Sequence, residues 1–245
     1  MPELGKWGVV DMLSEKYVGL SPYAYVANSP IKLSDPDGRD IVVKYKEEKK
    51  DKEGNVKYDK HGNVKMRNRS VMLSLDKDGN VQAKKGGKMV ANSFVSNVVS
   101  ALNYVKKGDK SDVIGHAMKS DVSFRVKAGN ESRGDNDGFD RRSNTIRWDP
   151  LSGLQTGDDS GIGTGKVQSP ALGLLHELGH GVDKVYNHTD YVNRRKKDAG
   201  IYTNEEEWFV INAYENVAAR VLGEPTRSNH YGEGTPMPTT TSHKE

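Results

Sequence analysis

The chain has 245 residues, enough for one domain of good size or for one domain with an appendage. Hydrophobic residues make up 34% and charged residues 29%, and no apolar run approaches the length of a membrane span, so we expect a soluble protein without a membrane span. The net charge of +3 is too even to indicate nucleic-acid binding by itself. Because the chain has no cysteine, any metal site must use histidine and carboxylate ligands.

The first 39 residues differ in character from the rest of the chain. Four short motifs follow one another closely: residues 4–8 (LGKWG), 14–17 (SEKY), 21–31 (SPYAYVANSPI) and 35–38 (DPDG). By its residues alone, the last motif is a turn. Together the four resemble the end of the core of Rhs/YD-repeat proteins, over about residues 3–39. The resemblance implies a self-cleavage junction at residues 35–38, the β-cage of the parent protein as a partner, and a toxin that begins after residue 39.

Residues 40–92 are predicted to form β-hairpins. One turn design occurs three times, in residues 51–56 (DKEGNV), 59–64 (DKHGNV) and 76–81 (DKDGNV), and its Gly-Asn pair suits tight turns that need positive φ. A calcium loop is the alternative for residues that start at Asp76. That alternative lacks the bidentate glutamate at the twelfth position, where Gly87 stands. We therefore interpret these segments as turns.

Residues 93–232 are predicted to form the main domain. Apolar residues from Phe94 to Val105 recur at helical spacing, and residues 122–126 alternate as a strand. Residues 145–148 form a second short strand, followed by a Gly-rich loop at 153–165. Ile146 and Trp148 lie on this strand, which precedes the His-Glu-x-x-His segment at residues 176–180. That segment resembles the motif of zinc peptidases, and the resemblance implies that such a strand pairs with the backbone of an extended substrate. Residues 145–148 are our candidate for this role, with an ordinary edge strand as the alternative.

The sequence His-Glu-Leu-Gly-His at residues 176–180 is the strongest chemical signal in the chain. Ser169 can cap a helix here and Pro170 suits its first turn. On that helix His176 and His180 lie one turn apart, opposite an arc of leucines and valines, and can bind one metal ion. Glu177 beside them can act as a general base. The alternative is a core helix that carries two solvated histidines.

A third metal ligand is expected on a second amphipathic helix, about residues 204–222. Thr203 as N-cap with Glu206 would form a capping box, which assigns Glu206 a structural role. Glu207 falls within the apolar arc of this helix, and a buried carboxylate needs a partner such as a metal. We therefore predict Glu207 as the third ligand. The alternatives are Glu215 and Glu206, as a ligand or as a group that orients a ligand histidine.

Two isolated histidines, His188 and His230, are further alternative ligands, although histidines near loops or a chain end are more often surface residues. A tyrosine could stabilise an oxyanion, and the sequence does not choose between Tyr202 and Tyr214.

Residues 145–231 resemble the family of effector zinc metallopeptidases that includes the bacterial effector NleD. The matching segments are residues 146–150 (IRWDP), 174–180 (LLHELGH), 206–207, 215–216, Arg220, 222–223 and 227–231. The resemblance implies an α+β, zincin-like metallopeptidase domain with N-terminal β-hairpins, a central HExxH helix and one Zn²⁺. Residues 233–245 are expected to be a disordered tail.

These observations predict a zinc-dependent metalloendopeptidase that acts as a toxin on a protein of a target cell. It would be secreted or delivered as the tip of an Rhs-type protein without a classical signal peptide, and a cognate immunity protein is expected by resemblance. One alternative is a zinc-stabilised binding module without catalysis. The other is a nucleic-acid-directed toxin, suggested by the pI of 8.8 and the basic run at residues 194–197, which is more simply a solvated face.

Overall fold

A computed structural model describes residues 41–129, 138–158 and 160–245. The predictions for residues 1–39, including the Rhs-like motifs and the cleavage junction, lie outside the described residues. Within the described ranges the structure is α+β, as predicted, with a seven-stranded mixed sheet, a three-stranded sheet and several helices.

The large sheet combines the predicted hairpins with strands from the middle of the chain. Its order is β4-β3-β2-β1-β5-β7-β6, in which β1, β5 and β7 run parallel and the other neighbours antiparallel. The strands are β1 Ile41–Glu48, β2 Met66–Leu75, β3 Val81–Lys85, β4 Lys88–Met89, β5 Phe124–Ala128, β6 Gly138–Asp140 and β7 Thr145–Trp148. Strands β1–β4 belong to the predicted hairpin region and strands β5–β7 to the predicted main domain. Because all seven strands form one sheet, the two predicted regions are continuous.

The repeated turn design forms as predicted. In each copy the carboxylate of Asp51, Asp59 or Asp76 accepts backbone hydrogen bonds from the second and fourth following residues. The glycine of each turn has a positive φ, between 77° and 93°. The aspartates are therefore used to close turns, in agreement with the sequence interpretation.

One face of the large sheet packs against helices. Alternating β-strand residues such as Ile41, Val43 and Leu73 are almost fully buried against α1 Ser93–Val105 and α3 Pro170–Tyr186. The α1 helix matches its prediction: Asn92 caps it, and Val95, Val98, Leu102 and Val105 face the core. Each such side chain contributes about 1.5–3 kcal/mol by burial. A short helix, α2 Val113–Met118, also packs on α3.

The predicted substrate-pairing role of Ile146 and Trp148 is wrong. Strand β7 lies inside the sheet, with β5 on one side and β6 on the other. Both side chains are fully buried, and the Trp148 indole N–H donates to the carbonyl of Pro170 at 2.8 Å. The strand therefore joins the core to the start of α3, and its backbone over residues 145–147 is already paired on both sides.

The expected Gly-rich loop and the expected disordered tail are also wrong. Strands β8 Ser152–Gly157 and β9 Gly163–Gln168 pair antiparallel, and β10 Gly232–Pro236 pairs with β8. Nearer the C-terminus, Lys244 and Val167 exchange two backbone hydrogen bonds of 2.8 Å, and Thr240 is buried. The segment is ordered through backbone pairing, which its polar composition does not reveal.

Helix α3 begins as predicted, with a support that the sequence did not show. The Ser169 hydroxyl accepts from the backbone N–H of Leu172 at 3.3 Å, as an N-cap does. Ser169 in turn donates through its backbone N–H and its hydroxyl to the buried carboxylate of Glu224, at 2.7 and 2.8 Å. The hydroxyl of Tyr104, on α1, donates to the same carboxylate. The start of the histidine-bearing helix is therefore tied to two distant parts of the chain.

The second predicted helix consists of α5 Glu205–Val210, a π-helical turn Ile211–Glu215 and α6 Asn216–Leu222. The predicted capping box is wrong, because Asn204 and not Thr203 is the N-cap: its side-chain oxygen accepts from the backbone N–H groups of Glu206 and Glu207. Glu206 is therefore not a capping residue, and its side chain is fully buried. The two remaining helical segments are α4 His188–Lys196 and a 3-10 turn, Gly200–Tyr202. No helix in the described part of the chain is both long and apolar enough to cross a membrane.

Candidate metal centre

The structure brings together the three residues that the sequence nominated as metal ligands. His176 and His180 project from α3 and are 5% exposed, and Glu207 approaches them from the first turn of α5. The two Nε2 atoms lie 3.1 Å apart, and Oε2 of Glu207 lies 3.3 Å from that of His176 and 3.0 Å from that of His180. This group can hold a metal ion.

The other ring nitrogen of His176 is held by a buried ion pair. Its Nδ1 donates to Oε2 of Glu215 at 2.8 Å. Arg227 binds both oxygens of that carboxylate through Nε and Nη2, at 2.7 Å each. Glu215 and Arg227 are nearly inaccessible to solvent, so a charge-assisted, two-point contact sets the orientation of the imidazole.

His180 is held by a similar but looser arrangement. Its Nδ1 donates to Oε1 of Glu206 at 3.3 Å, and Nε of Arg194 binds the other oxygen at 2.9 Å. Arg194 also pairs with Asp183, which is fully buried. The sequence analysis assigned Glu206 first to capping and kept it, with Glu215, as an alternative group that orients a ligand histidine; its contacts with His180 and Arg194 agree with that alternative.

These contacts favour one tautomer of both rings. A carboxylate only accepts hydrogen bonds, so a proton on each Nδ1 suits Glu215 and Glu206. For His176, Nη2 of Arg227 also lies 3.2 Å from Nδ1, but the carboxylate contact is shorter, 2.8 Å. Each Nε2 of a neutral imidazole then presents a lone pair. The two Nε2 lone pairs and the Glu207 oxygen then converge on one point. Such a convergence of electron pairs, 3.0–3.3 Å apart, is stable only when a proton or another cation lies among them.

The electrostatics of the centre follow from the same contacts. Burial lowers the pKa of His180, but the carboxylates of Glu206 and Glu207 outweigh it and raise the pKa to about 10. The pKa of His176 is also raised, because Glu207 and Glu215 outweigh its burial. Burial favours protonation of Glu215, yet the charge of Arg227 and the His176 hydrogen bond lower its pKa to about 2. The pKa of Glu207 is lowered by both histidines against the effect of burial. Burial raises the pKa of Glu206, against the hydrogen bonds of His180 and Arg194. The site therefore favours positive charge on the histidines next to ionised Glu207 and Glu215.

Glu177 is the remaining residue of the motif. It is partly exposed, and its carboxylate makes no hydrogen bond with any residue in the described ranges. Its negative charge contributes to the raised pKa of His180, so it lies close to the histidines without being one of the converging groups. A partly exposed carboxylate in this position can exchange protons with a molecule that enters the site.

Close packing of two helices places Glu207 opposite the histidines. A Cβ atom at Gly179 would lie 2.8 Å from the Tyr214 ring and 3.2 Å from Val210, so glycine permits α3 to approach the α5 and π segments. Gly173, by contrast, has open space where a Cβ would stand. Tyr214 thus serves in this contact between helices. The sequence pattern did not show the role of Gly179, because its neighbours are more than 30 residues away.

His230 is a further residue of the site that the sequence interpretation ranked low. Its Nε2 lies 3.3 Å from Oε2 of Glu207, its ring stacks on that of His176 with centroids 6.2 Å apart, and it remains 37% exposed. Burial lowers its pKa. The other alternative, His188, is exposed and bonds to the carbonyl of Lys184. In the sequence, His230 was indicated as an alternative ligand and by its position in the matching segment 227–231.

A comparison with protein-family models, curated proteins and solved structures finds no match for this chain.

Proposed function

We propose that the chain is a zinc-dependent metalloendopeptidase with a zincin-like fold. His176, His180 and Glu207 would hold one Zn²⁺, and Glu177 would act as the general base. The observation that carries the proposal is the convergence of three ligand atoms within 4.8 Å of one another, beside a carboxylate that is free to exchange protons. Three protein ligands of this type are characteristic of catalytic zinc sites, which keep a further position for water.

The distances between the ligand atoms fit zinc. Bonds of about 2.0–2.1 Å in tetrahedral geometry place ligand atoms about 3.3 Å apart. The three separations, 3.1, 3.3 and 3.0 Å, are within a few tenths of an ångström of that value. Binding would therefore require only a slight expansion of the site.

The hydrogen bonds to Nδ1 support the same function. Histidines that bind metal commonly donate the other ring N–H to a carboxylate, which fixes the tautomer and increases the basicity of the ligand. Both histidines do so here, to Glu215 and Glu206. An arginine ion pair holds each of those carboxylates. Two solvated histidines, the alternative interpretation, would not require buried carboxylates and arginines to orient them.

The proposed reaction is hydrolysis of a peptide bond. The chemistry that a bound zinc ion supplies is to lower the pKa of a water molecule toward neutrality and to polarise the scissile carbonyl. Glu177 would take the proton of the attacking water and pass it to the amine that leaves. His230, partly exposed and beside Glu207, is our candidate to donate a hydrogen bond to the developing oxyanion, in preference to Tyr202 or Tyr214.

The biological role is proposed from the sequence motifs. The Rhs-like motifs of residues 3–39 and the NleD-like segments support a toxin that is delivered into a target cell as the tip of an Rhs-type protein, without a classical signal peptide. Its substrate would be a protein of that cell. A cognate immunity protein and the Rhs β-cage would be its partners.

Metal analysis combined with the Glu177→Gln variant tests the proposal. We expect the purified chain to bind one equivalent of zinc, and Glu177→Gln to keep the zinc while peptide cleavage falls by about 10²–10⁴-fold. New protein termini in intoxicated cells would be compared between wild type, Glu177→Gln and a control variant, Glu205→Gln, whose carboxylate pairs with exposed Lys197. Zinc binding and full toxicity in Glu177→Gln would instead support a binding module that does not cut.

A further inference from the structure

A cavity of about 790 Å³ is lined in part by Tyr231, the residue that follows His230 of the candidate metal centre. Its floor is the hairpin of β8 and β9, and its other walls come from the 3-10 turn and the start of β10. The lining residues are Gln155, Gly157, Ser160, Gly161, Gly163, Ile201, Tyr231, Gly232 and Glu233. A cavity of this size can accept a large amino-acid side chain together with part of a peptide backbone.

The chain segment that carries His230 connects the cavity to the metal centre. Tyr231 directly follows His230, and the backbone N–H of His230 donates to the carbonyl of Ile201 at 2.9 Å. Both Ile201 and Tyr231 line the cavity, whereas the His230 ring lies against Glu207 and His176. The cavity and the metal centre therefore share the segment of residues 230–231, and a bound peptide that passes along this segment would place one of its side chains at the cavity.

The walls of the cavity combine apolar surface with one negative charge. Ile201 and Tyr231 keep 37% and 51% of their surface exposed, which is high for large apolar side chains. Among the described residues of the lining, Glu233 is the charged one, and its carboxylate has no hydrogen bond or ion pair with any residue in the described ranges. It stands opposite Gln155 in the pairing of β10 with β8, which supplies a neutral polar neighbour.

We propose that this cavity is a subsite for an arginine or lysine side chain of the peptide substrate, an inference that rests on the proposed peptidase function. The apolar stem of such a side chain would cover Ile201, its cationic group would pair with Glu233, and a guanidinium could also stack on Tyr231. An acidic side chain would meet the charge of Glu233, and a purely apolar one would leave that carboxylate without a partner.

Binding can be measured apart from catalysis in the zinc-loaded Glu177→Gln variant. The probes are acetyl-arginine amide and its neutral analogue acetyl-citrulline amide, titrated and followed by NMR chemical shifts. Because an exposed ion pair contributes little, we expect the arginine probe to bind about threefold to fivefold more tightly. Adding Glu233→Gln should remove this difference and leave citrulline binding unchanged, whereas the control Glu53→Gln, on a distant hairpin turn, should preserve it. Tyr231→Ala should weaken both probes.

The outcomes separate this inference from the proposed function. Equal binding of the two probes, or a preference that survives Glu233→Gln, would overturn the basic-residue subsite even if the wild type cleaves peptides. In a peptide library cut by the wild type, the subsite predicts arginine or lysine at one fixed position beside the new terminus. A Glu233-dependent preference without any cleavage by the wild type would support the subsite and refute the peptidase.

Discussion

The two carboxylates that orient the histidines provide a graded test of the metal centre. Glu215→Gln and Glu206→Gln remove the same charge from equivalent positions, since each side chain accepts a hydrogen bond from Nδ1 of a ligand histidine and each pairs with an arginine. The structure predicts that the two variants differ in their effect, with the larger loss at Glu215.

The expected magnitudes follow from the contacts. Glu215→Gln breaks a two-point ion pair with Arg227, which is 6% exposed, and leaves that charge buried, so the apo protein should lose about 3–5 kcal/mol of unfolding free energy. After Glu206→Gln, Arg194 keeps Asp183 as a partner, and the loss should be about 1–3 kcal/mol. Loss of an orienting carboxylate typically lowers metal affinity 10–100-fold. The hydrogen bond of Glu215 is 2.8 Å long, so we expect its loss to lower zinc affinity by an amount near the upper end of that range. The bond of Glu206 is 3.3 Å long, so we expect a loss of affinity near the lower end.

Urea unfolding of the apo protein and competition with a chromophoric zinc chelator would measure the two quantities separately. Where Glu215→Gln is too unstable to study, Arg227→Lys offers a milder change, because lysine keeps the charge but loses the bidentate contact. Zinc affinity equal to wild type in both variants, or a larger loss from Glu206→Gln, would refute the assignment of these carboxylates as orienting groups.

Four further predictions concern the centre and its support. Gly179→Ala should destabilise the fold by about 1–3 kcal/mol, because its Cβ would meet Tyr214 at 2.8 Å. Gly173→Ala has open space for its Cβ and should stabilise the helix slightly. Thermal unfolding of both variants checks this, and equal effects would contradict the close contact at Gly179. Zinc affinity should rise with pH up to about 10, the raised pKa of His180, because binding displaces protons from His176 and His180. Calorimetry in buffers of different ionisation enthalpy counts these protons, and no proton release would contradict the raised values. His230→Ala should lower kcat about 10²-fold and retain zinc, measured by peptide cleavage and metal analysis, whereas loss of the metal would make His230 a ligand. Ser169→Ala should cost about 1–2 kcal/mol in urea unfolding, since it removes the N-cap and one hydrogen bond to Glu224, and a neutral result would exclude the capping role.

The site shows how far local patterns reach. The helix that carries His176 and His180 was predictable from its cap, its proline and its leucine arc, all of which lie within a few residues of one another. Glu207 was also predictable, since its place on the apolar arc of the next helix indicated a buried carboxylate. Both inferences depend on helical periodicity, which is a local property.

Several features could not be found in this way. The sequence left Glu206 and Glu215 as alternatives, and only the contacts of Glu206 with His180 and Arg194 show its place; the N-cap is Asn204, one residue after the predicted Thr203. Outside the site, the edge of β7 that we expected to be free is paired with the three residues of β6. The segment that we expected to be a disordered tail forms backbone hydrogen bonds with β8 and β9. Each of these outcomes depends on a partner that is distant in the chain.

The sequence by itself determined the chemistry that this protein can present: two histidines on one helical face, a glutamate beside them and a carboxylate on a second helix, with no thiolate to compete. Only the tertiary structure decided how those groups meet. In the folded chain, Glu215 and Glu206 contact Nδ1 of the two imidazoles, and Arg227 and Arg194 pair with those carboxylates. His230 lies beside Glu207. The physical reason is that a helix repeats its own pattern locally, whereas the orientation of a ligand depends on buried charges and hydrogen bonds supplied by other elements of the fold.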